Sequence, residues 1–127
     1  MADGLAAKGA VFVDELDEVP HNAPVVFSAH GVARTVVDEA ERRNMIAVDA
    51  TCPLVTKVHI EARPHADNDR HILLIGHAGH PEIEGTMGQV DADAVTLVES
   101  VEDARTVTPP EGVALAFATQ TTLSIDD

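Results

Sequence analysis

Short runs of β-type residues recur along the chain, separated by segments in which apolar positions fall at helical spacing. The strand candidates are residues 10–13, 25–28, 46–48, 72–75, 95–98 and 113–117. Between them, Val32, Val36, Val37 and Ala40 predict an amphipathic helix over 32–43. Leu54, Val55, Val58 and Ala62 predict the buried stripe of a second helix, from 54 to about 62. Pro64 is expected to end that helix, with Asp67-Asn68-Asp69 as loop. Leu5-Ala6-Ala7-Lys8-Gly9 reads as the last turn of a helix stopped by glycine, whose start would precede this chain. The acidic stretch 14–20 reads as a loop or short helix, 101–105 as a short helix, and Pro109-Pro110-Glu111-Gly112 as a turn. Thr119-Gln120-Thr121-Thr122-Leu123 reads as a capped helix start.

This β–α alternation argues for an α/β fold with short, mostly parallel sheets flanked by helices. The continuous apolar run Ile72-Leu73-Leu74-Ile75 suits a strand covered on both faces. In such sheets ligands bind beyond the carboxyl ends of the strands. The reactive side chains fall there. His30 follows 25–28, Cys52 follows 46–48, His77, His80 and Glu82 follow 72–75, and Thr119, Gln120, Thr121 and Thr122 follow 113–117. Four strand ends carrying His, Cys, His/Glu and Thr point to one shared pocket.

Composition narrows the possibilities. The chain has 127 residues, one domain's length, and no apolar run approaches the roughly 20 residues of a membrane span. The start, Met1-Ala2-Asp3-Gly4-Leu5, lacks the basic end and apolar core of a signal peptide, so a cytoplasmic location is the expectation. A single cysteine rules out an internal disulfide framework. Asp and Glu total 22 against 8 Lys and Arg, a net charge of -14, which disfavours nucleic acid and anionic membranes as partners. Trp and Tyr are absent and Phe occurs three times, leaving no aromatic platform for bases.

Each strand-end group has a chemical use and a plainer one. Cys52 precedes a helix start, where backbone N–H groups favour a thiolate that serves as nucleophile or soft-metal ligand. Equally, a free cysteine can be a small buried apolar residue. Histidine beside glycine (His30-Gly31, Gly79-His80) suits a phosphate, through ring and backbone N–H groups, with the glycines letting backbone approach the ligand. His30 alone reads as a satisfied polar group and Thr121 alone as an N-cap. Glu82 beside a threonine hydroxyl can pass protons to a substrate. Glu84 and His77 read as structural, and His59, His65 and His71 fall on helix or loop surfaces without an assigned role.

Four stretches then resemble a known family. They are Ser28-Ala29-His30-Gly31-Val32, the run from Asp49 through Thr51-Cys52-Pro53-Leu54 to His59, Gly76-His77-Ala78-Gly79-His80-Pro81-Glu82 with its continuation to Gln89, and Thr119-Gln120-Thr121-Thr122-Leu123-Ser124. Together they resemble the signature stretches of the IspH/LytB family, the 4-hydroxy-3-methylbut-2-enyl diphosphate reductases. The resemblance implies reductive dehydration of that allylic diphosphate to isopentenyl and dimethylallyl diphosphate, the last step of the non-mevalonate isoprenoid pathway. It implies a [4Fe-4S] cluster and an electron donor such as ferredoxin or flavodoxin. By resemblance, Cys52 would be one of three cluster thiolates, His30 and His80 would bind the substrate, chiefly its diphosphate, Glu82 would deliver the proton, and Thr121 would order that relay beside the substrate.

The resemblance also implies what surrounds this stretch. The family builds three similar α/β domains around the cluster. Residues 1–52 would be the back of the first, 53–127 most of the second, and the third would be absent. A Gly-Phe-Cys turn would lie upstream of Met1, and a third cysteine with a Ser/Asn cluster beyond Asp127. One thiolate does not replace three, so the isolated chain is expected to be inactive. Ala33 stands where the family usually has serine, which leaves the site alone, and Pro64 is expected only to shorten its helix. Two other readings stay open: a hydrolase pairing Cys52 with His30 or His80, and a non-catalytic anion-binding module using the two histidines.

Overall fold

In a computed structural model, which describes residues 2–123, two small parallel sheets share one chain. The elements in order are α1 (Ala2–Ala6), β1 (Val25–Phe27), α2 (Arg34–Arg42), β2 (Ala47–Asp49), α3 (Pro53–Asp67), β3 (His71–Ile75), α4 (Pro81–Met87), β4 (Val95–Val98), α5 (Val101–Thr106) and β5 (Leu115–Thr119), with 3-10 turns at Leu16–Glu18 and Ala92–Ala94. β1 pairs with β2, Val26 opposite Val48. The second sheet has the order β4-β3-β5, with Leu73 opposite both Thr96 and Phe117. The α/β fold with parallel strands expected from the alternation is therefore present, and every strand leads into a turn at the same kind of end.

The core lies where α3 and α4 cover the three-stranded sheet. Ala62 of α3, Ile72 and Leu74 of β3, Ile83 of α4 and Val95 of β4 form it, with Met87, Leu97 and Ala118 packed around them. Central strand β3 is apolar on both faces because both are covered. The first sheet is thinner. Phe27 and Ala40 are buried, while Val26, Ile46 and Val48 are exposed.

Two glycines bring the halves together. A Cβ on Gly85 of α4 would lie 3.2 Å from the backbone carbonyl of Gly31, and one on Gly88 would strike the Ala33 side chain. Across this contact the Arg34 N–H donates to the Gly88 carbonyl (3.1 Å). Gln89, buried, donates from Nε2 to the Val32 carbonyl (2.8 Å) and accepts from Arg63 at Oε1 (2.5 Å).

Several local expectations are corrected. Residues 10–13 are not a strand: Val11 and Phe12 are 84% and 61% exposed, with no strand among the described residues to take their backbone groups. Pro64 does not end α3, which continues to Asp67. It lies in the last turn on an exposed face, and termination comes from Asp69 at φ 57°, with the Arg70 N–H donating to the His65 carbonyl (2.9 Å). Leu54 leaves the expected buried stripe and is exposed, while Val55 and Ala62 remain in it. His71 is no surface residue. It is 7% exposed, its Nε2 2.7 Å from Thr96 Oγ1. The last strand runs two residues further than expected, through Thr119, so Thr121 and Thr122 form a turn; Ser124 lies outside the described residues.

Candidate functional site

The turn after β1 and the turn after β2 are tied to each other by backbone. The Ala50 N–H donates to the Phe27 carbonyl (3.0 Å) and the Cys52 N–H to the Ala29 carbonyl (2.9 Å), so Cys52 is stitched beside His30. Asp49 shapes the approach: its Oδ1 accepts from the Thr51 N–H (2.9 Å) and hydroxyl (2.5 Å). Those two bonds hold the Asp49 carboxyl below its ordinary range. Cys52 then caps α3, with Pro53 in the first turn, where its missing N–H costs nothing. The Cys52 thiol is half-buried and free.

The turn after β3 is equally determined. The Gly76 N–H donates to the Val98 carbonyl (3.1 Å), the His77 N–H to Gln120 Oε1 (3.1 Å) and the Ala78 N–H to a Glu99 carboxylate oxygen (2.8 Å). His80 caps α4: its Nδ1 accepts from the Glu82 N–H (3.1 Å). In the neutral ring this leaves the proton on Nε2, which is free to donate outward. The His80 ring meets the His30 ring edge to face at 5.6 Å between centroids.

Glu82 is the most buried charged group here, at 2% exposure. One carboxylate oxygen accepts the Thr121 N–H (2.6 Å), the other its hydroxyl (3.1 Å). Gln120 braces this pairing from behind. Its N–H donates to the Ile75 carbonyl (2.8 Å) and its side chain spans from His77 to the Thr122 hydroxyl (2.8 Å).

Three of the expected associations are thus present: His30 with His80, Glu82 with Thr121, and Cys52 beside the His30 turn. His30 and Thr121 are exposed. Two details differ from expectation. The missing side chain of Gly31 makes room inward, for His59 and Val55, rather than for a ligand. The amides of His77 and Ala78 are already bonded within the chain and so are committed elsewhere than to an anion. Cys52 Sγ forms no hydrogen bond to a histidine among the described residues, so the Cys–His pair of a hydrolase is not formed. His59 and Gln89 carry structural weight that spacing did not reveal, marked only by their place inside the signature stretches, whereas Gln120 stood out as a strand-end residue.

Parallel strands whose carboxyl ends gather a histidine pair, a buried acid held by a threonine and a free thiol define an α/β protein with a candidate ligand site at its strand ends. The family model described as LytB protein matches residues 1–127, and the chain belongs to that family. It is 60% identical to the 4-hydroxy-3-methylbut-2-enyl diphosphate reductase of Gluconobacter oxydans over 131 residues, covering all of this chain and 39% of the relative. It is likewise 60% identical to the reductase of Hyphomonas neptunium over 127 residues, 40% of that protein. Among solved structures, the E-1-hydroxy-2-methyl-but-2-enyl-4-diphosphate reductase from Plasmodium falciparum superposes with a TM-score of 0.91 at 37% identity, covering 98% of this chain and 39% of that one. A structure described as (E)-4-hydroxy-3-methyl-but-2-enyl diphosphate reductase, the terminal enzyme of the non-mevalonate pathway, gives 0.74 at 25% identity. The chain spans about two-fifths of the length of the relatives it matches.

Proposed function

We propose that the protein to which this chain corresponds is a 4-hydroxy-3-methylbut-2-enyl diphosphate reductase, an oxidoreductase of isoprenoid biosynthesis. The observation that carries this reading is the Glu82–Thr121 pair standing next to the His30–His80 pair at adjacent strand ends of a LytB-family chain. His30 and His80 receive the diphosphate through ring N–H groups. Glu82 carries the proton to the substrate's leaving hydroxyl, and Thr121 holds the carboxyl in place and orders the relay.

Cys52 fits one position of an iron–sulfur cluster: a half-buried thiol outside any disulfide, at a helix start, and a soft donor. The described residues contain no group of three or more His, Cys, Asp or Glu suited to a metal ion, and the sequence holds one cysteine, so other ligands come from outside this chain. When bound, a [4Fe-4S] cluster supplies the electrons of the reduction, taken from a carrier such as ferredoxin or flavodoxin. Residues 1–52 then belong to a first α/β unit and 53–127 to a second. No helix among the described residues is long and apolar enough to cross a membrane, and a cytoplasmic site of action suits the substrate and the acidic chain.

The test is anaerobic expression of the full-length gene product, cluster reconstitution, and assay with the allylic diphosphate and reduced viologen. Formation of the two five-carbon diphosphates is expected, with the 127-residue chain alone inactive. Diphosphate binding without reduction by the loaded full-length protein would instead favour the anion-binding reading.

A further inference from the structure

The position of the His30 ring is decided by packing beneath it, and one side chain in that packing is polar. His30 makes no hydrogen bond among the described residues; its ring meets the His80 ring edge to face. Its place therefore depends on the turn that carries it. Gly31 has φ +80° and is closed in on two sides. On the inner side, a Cβ would lie 2.8 Å from His59 Cε1, 3.1 Å from Val55 Cγ1 and 3.4 Å from His59 Nε2. On the other, Gly85 reaches the Gly31 carbonyl and Gln89 holds the Val32 carbonyl. The His59 imidazole is thus the floor of the His30 turn.

His59 Nε2 is shielded from solvent and has no hydrogen-bond partner among the described residues. A buried ring nitrogen left unmet costs free energy, which makes it a place where an oxygen partner gains more than on the surface. Burial first, then Arg63 one turn along α3, lower the His59 pKa below its ordinary value, against the opposing pull of Glu82 from α4 and Asp49 from the end of β2. The ring is therefore neutral at pH 7. It supports the turn without adding charge.

We propose that His59 is a positioning residue of the His30/His80 anion site. Its neutral ring sets the height of the His30 turn, and its Nε2 takes up an oxygen, from the ligand or from a water bridging to it, when the site fills. This inference rests on the diphosphate reading above. It deepens that reading by adding a residue that touches neither histidine ring.

Three variants of the full-length, cluster-loaded protein test it. His59→Phe keeps ring bulk without nitrogens, His59→Gln keeps a polar group near Nε2, and His59→Ala removes both. Affinity for inorganic diphosphate is read by calorimetry, KM and kcat by turnover, and cluster retention by absorbance. The expected result for His59→Phe is diphosphate affinity weakened about tenfold, with KM rising in step, kcat little changed and the cluster intact. Partial recovery is expected in His59→Gln, and a loss at least as large as that of His59→Phe in His59→Ala. Wild-type affinity and KM in His59→Phe would overturn the proposal, as would a fall in kcat with KM unchanged. If His59→Ala does not fold, the comparison of Phe with Gln decides. A wild-type protein that binds no diphosphate would overturn the parent reading instead, whatever the variants do.

Discussion

At the scale of single residues, the site depends on two carboxylate contacts and one ring contact. If Glu82 is the proton carrier proposed above, replacing it by Gln removes that proton while keeping shape, and turnover of the full-length protein is expected to fall by about 10²–10⁴, measured as initial rate. Thr121→Val removes the 3.1 Å hydroxyl contact but leaves the 2.6 Å N–H contact, so its loss should be smaller. His59 also couples stability to pH. Its folded pKa lies below the unfolded value of 6.5, so the unfolded chain binds more protons as pH falls. Its neutral burial is harmless above about pH 6.5, and stability is lost as pH drops from there through the depressed folded value. Denaturant titrations between pH 8 and pH 5 should show this slope, and His59→Phe should flatten it. His30, Cys52, His80, Glu82 and Thr121 could be picked out beforehand as candidates by their strand-end position, while the separate role of each came from the family resemblance. His59 could not, since its role comes from facing Gly31, 28 positions away in sequence.

Among the elements, α3 and α4 do most of the positioning. α3 joins Cys52 at its first turn to His59 in its middle and to Arg63 near its end. Its Pro64 removes one ladder hydrogen bond yet is tolerated because the last turn there is exposed. Pro64→Ala is therefore expected to stabilise the protein, by up to about 3 kcal/mol, seen as a higher denaturation midpoint. α4 instead works through what it lacks. Gly85→Ala and Gly88→Ala each force a methyl into the Gly31–Ala33 backbone or side chain, and should cost about 1–3 kcal/mol. They should also weaken diphosphate binding, because the histidines stand on the two pieces being pushed apart. Helical periodicity placed both long helices. It misplaced the end of α3, because proline in a last turn is read from sequence as a stop but is decided by whether the freed carbonyl can meet water.

Across the whole molecule, two sheets of unequal completeness share one acidic chain. The three-stranded sheet has a covered core, whereas Val26, Ile46 and Val48 of the first sheet stand exposed, with Val11 and Phe12 nearby in sequence and unpaired. A net charge of -14 opposes association of the isolated 127-residue chain at low ionic strength. Raising salt to about 0.5 M shortens the screening length to a few ångströms, so sedimentation should show self-association increasing with salt. The full-length protein should show less.

The sequence alone determined the kind of fold and which side chains stand at its strand ends. Runs of β-type residues alternating with helical spacing leave few arrangements other than helices beside a parallel sheet, and that patterning is local. The resemblance in four stretches carried the family, which the whole-chain match bears out. Tertiary structure alone decided which groups meet: that His30 faces His80 and that Glu82 closes on Thr121. It also decided that residues 10–13 are not a strand and that His59 lies under the His30 turn. Strand pairing and side-chain packing depend on neighbours distant along the chain. No pattern read within one segment contains them.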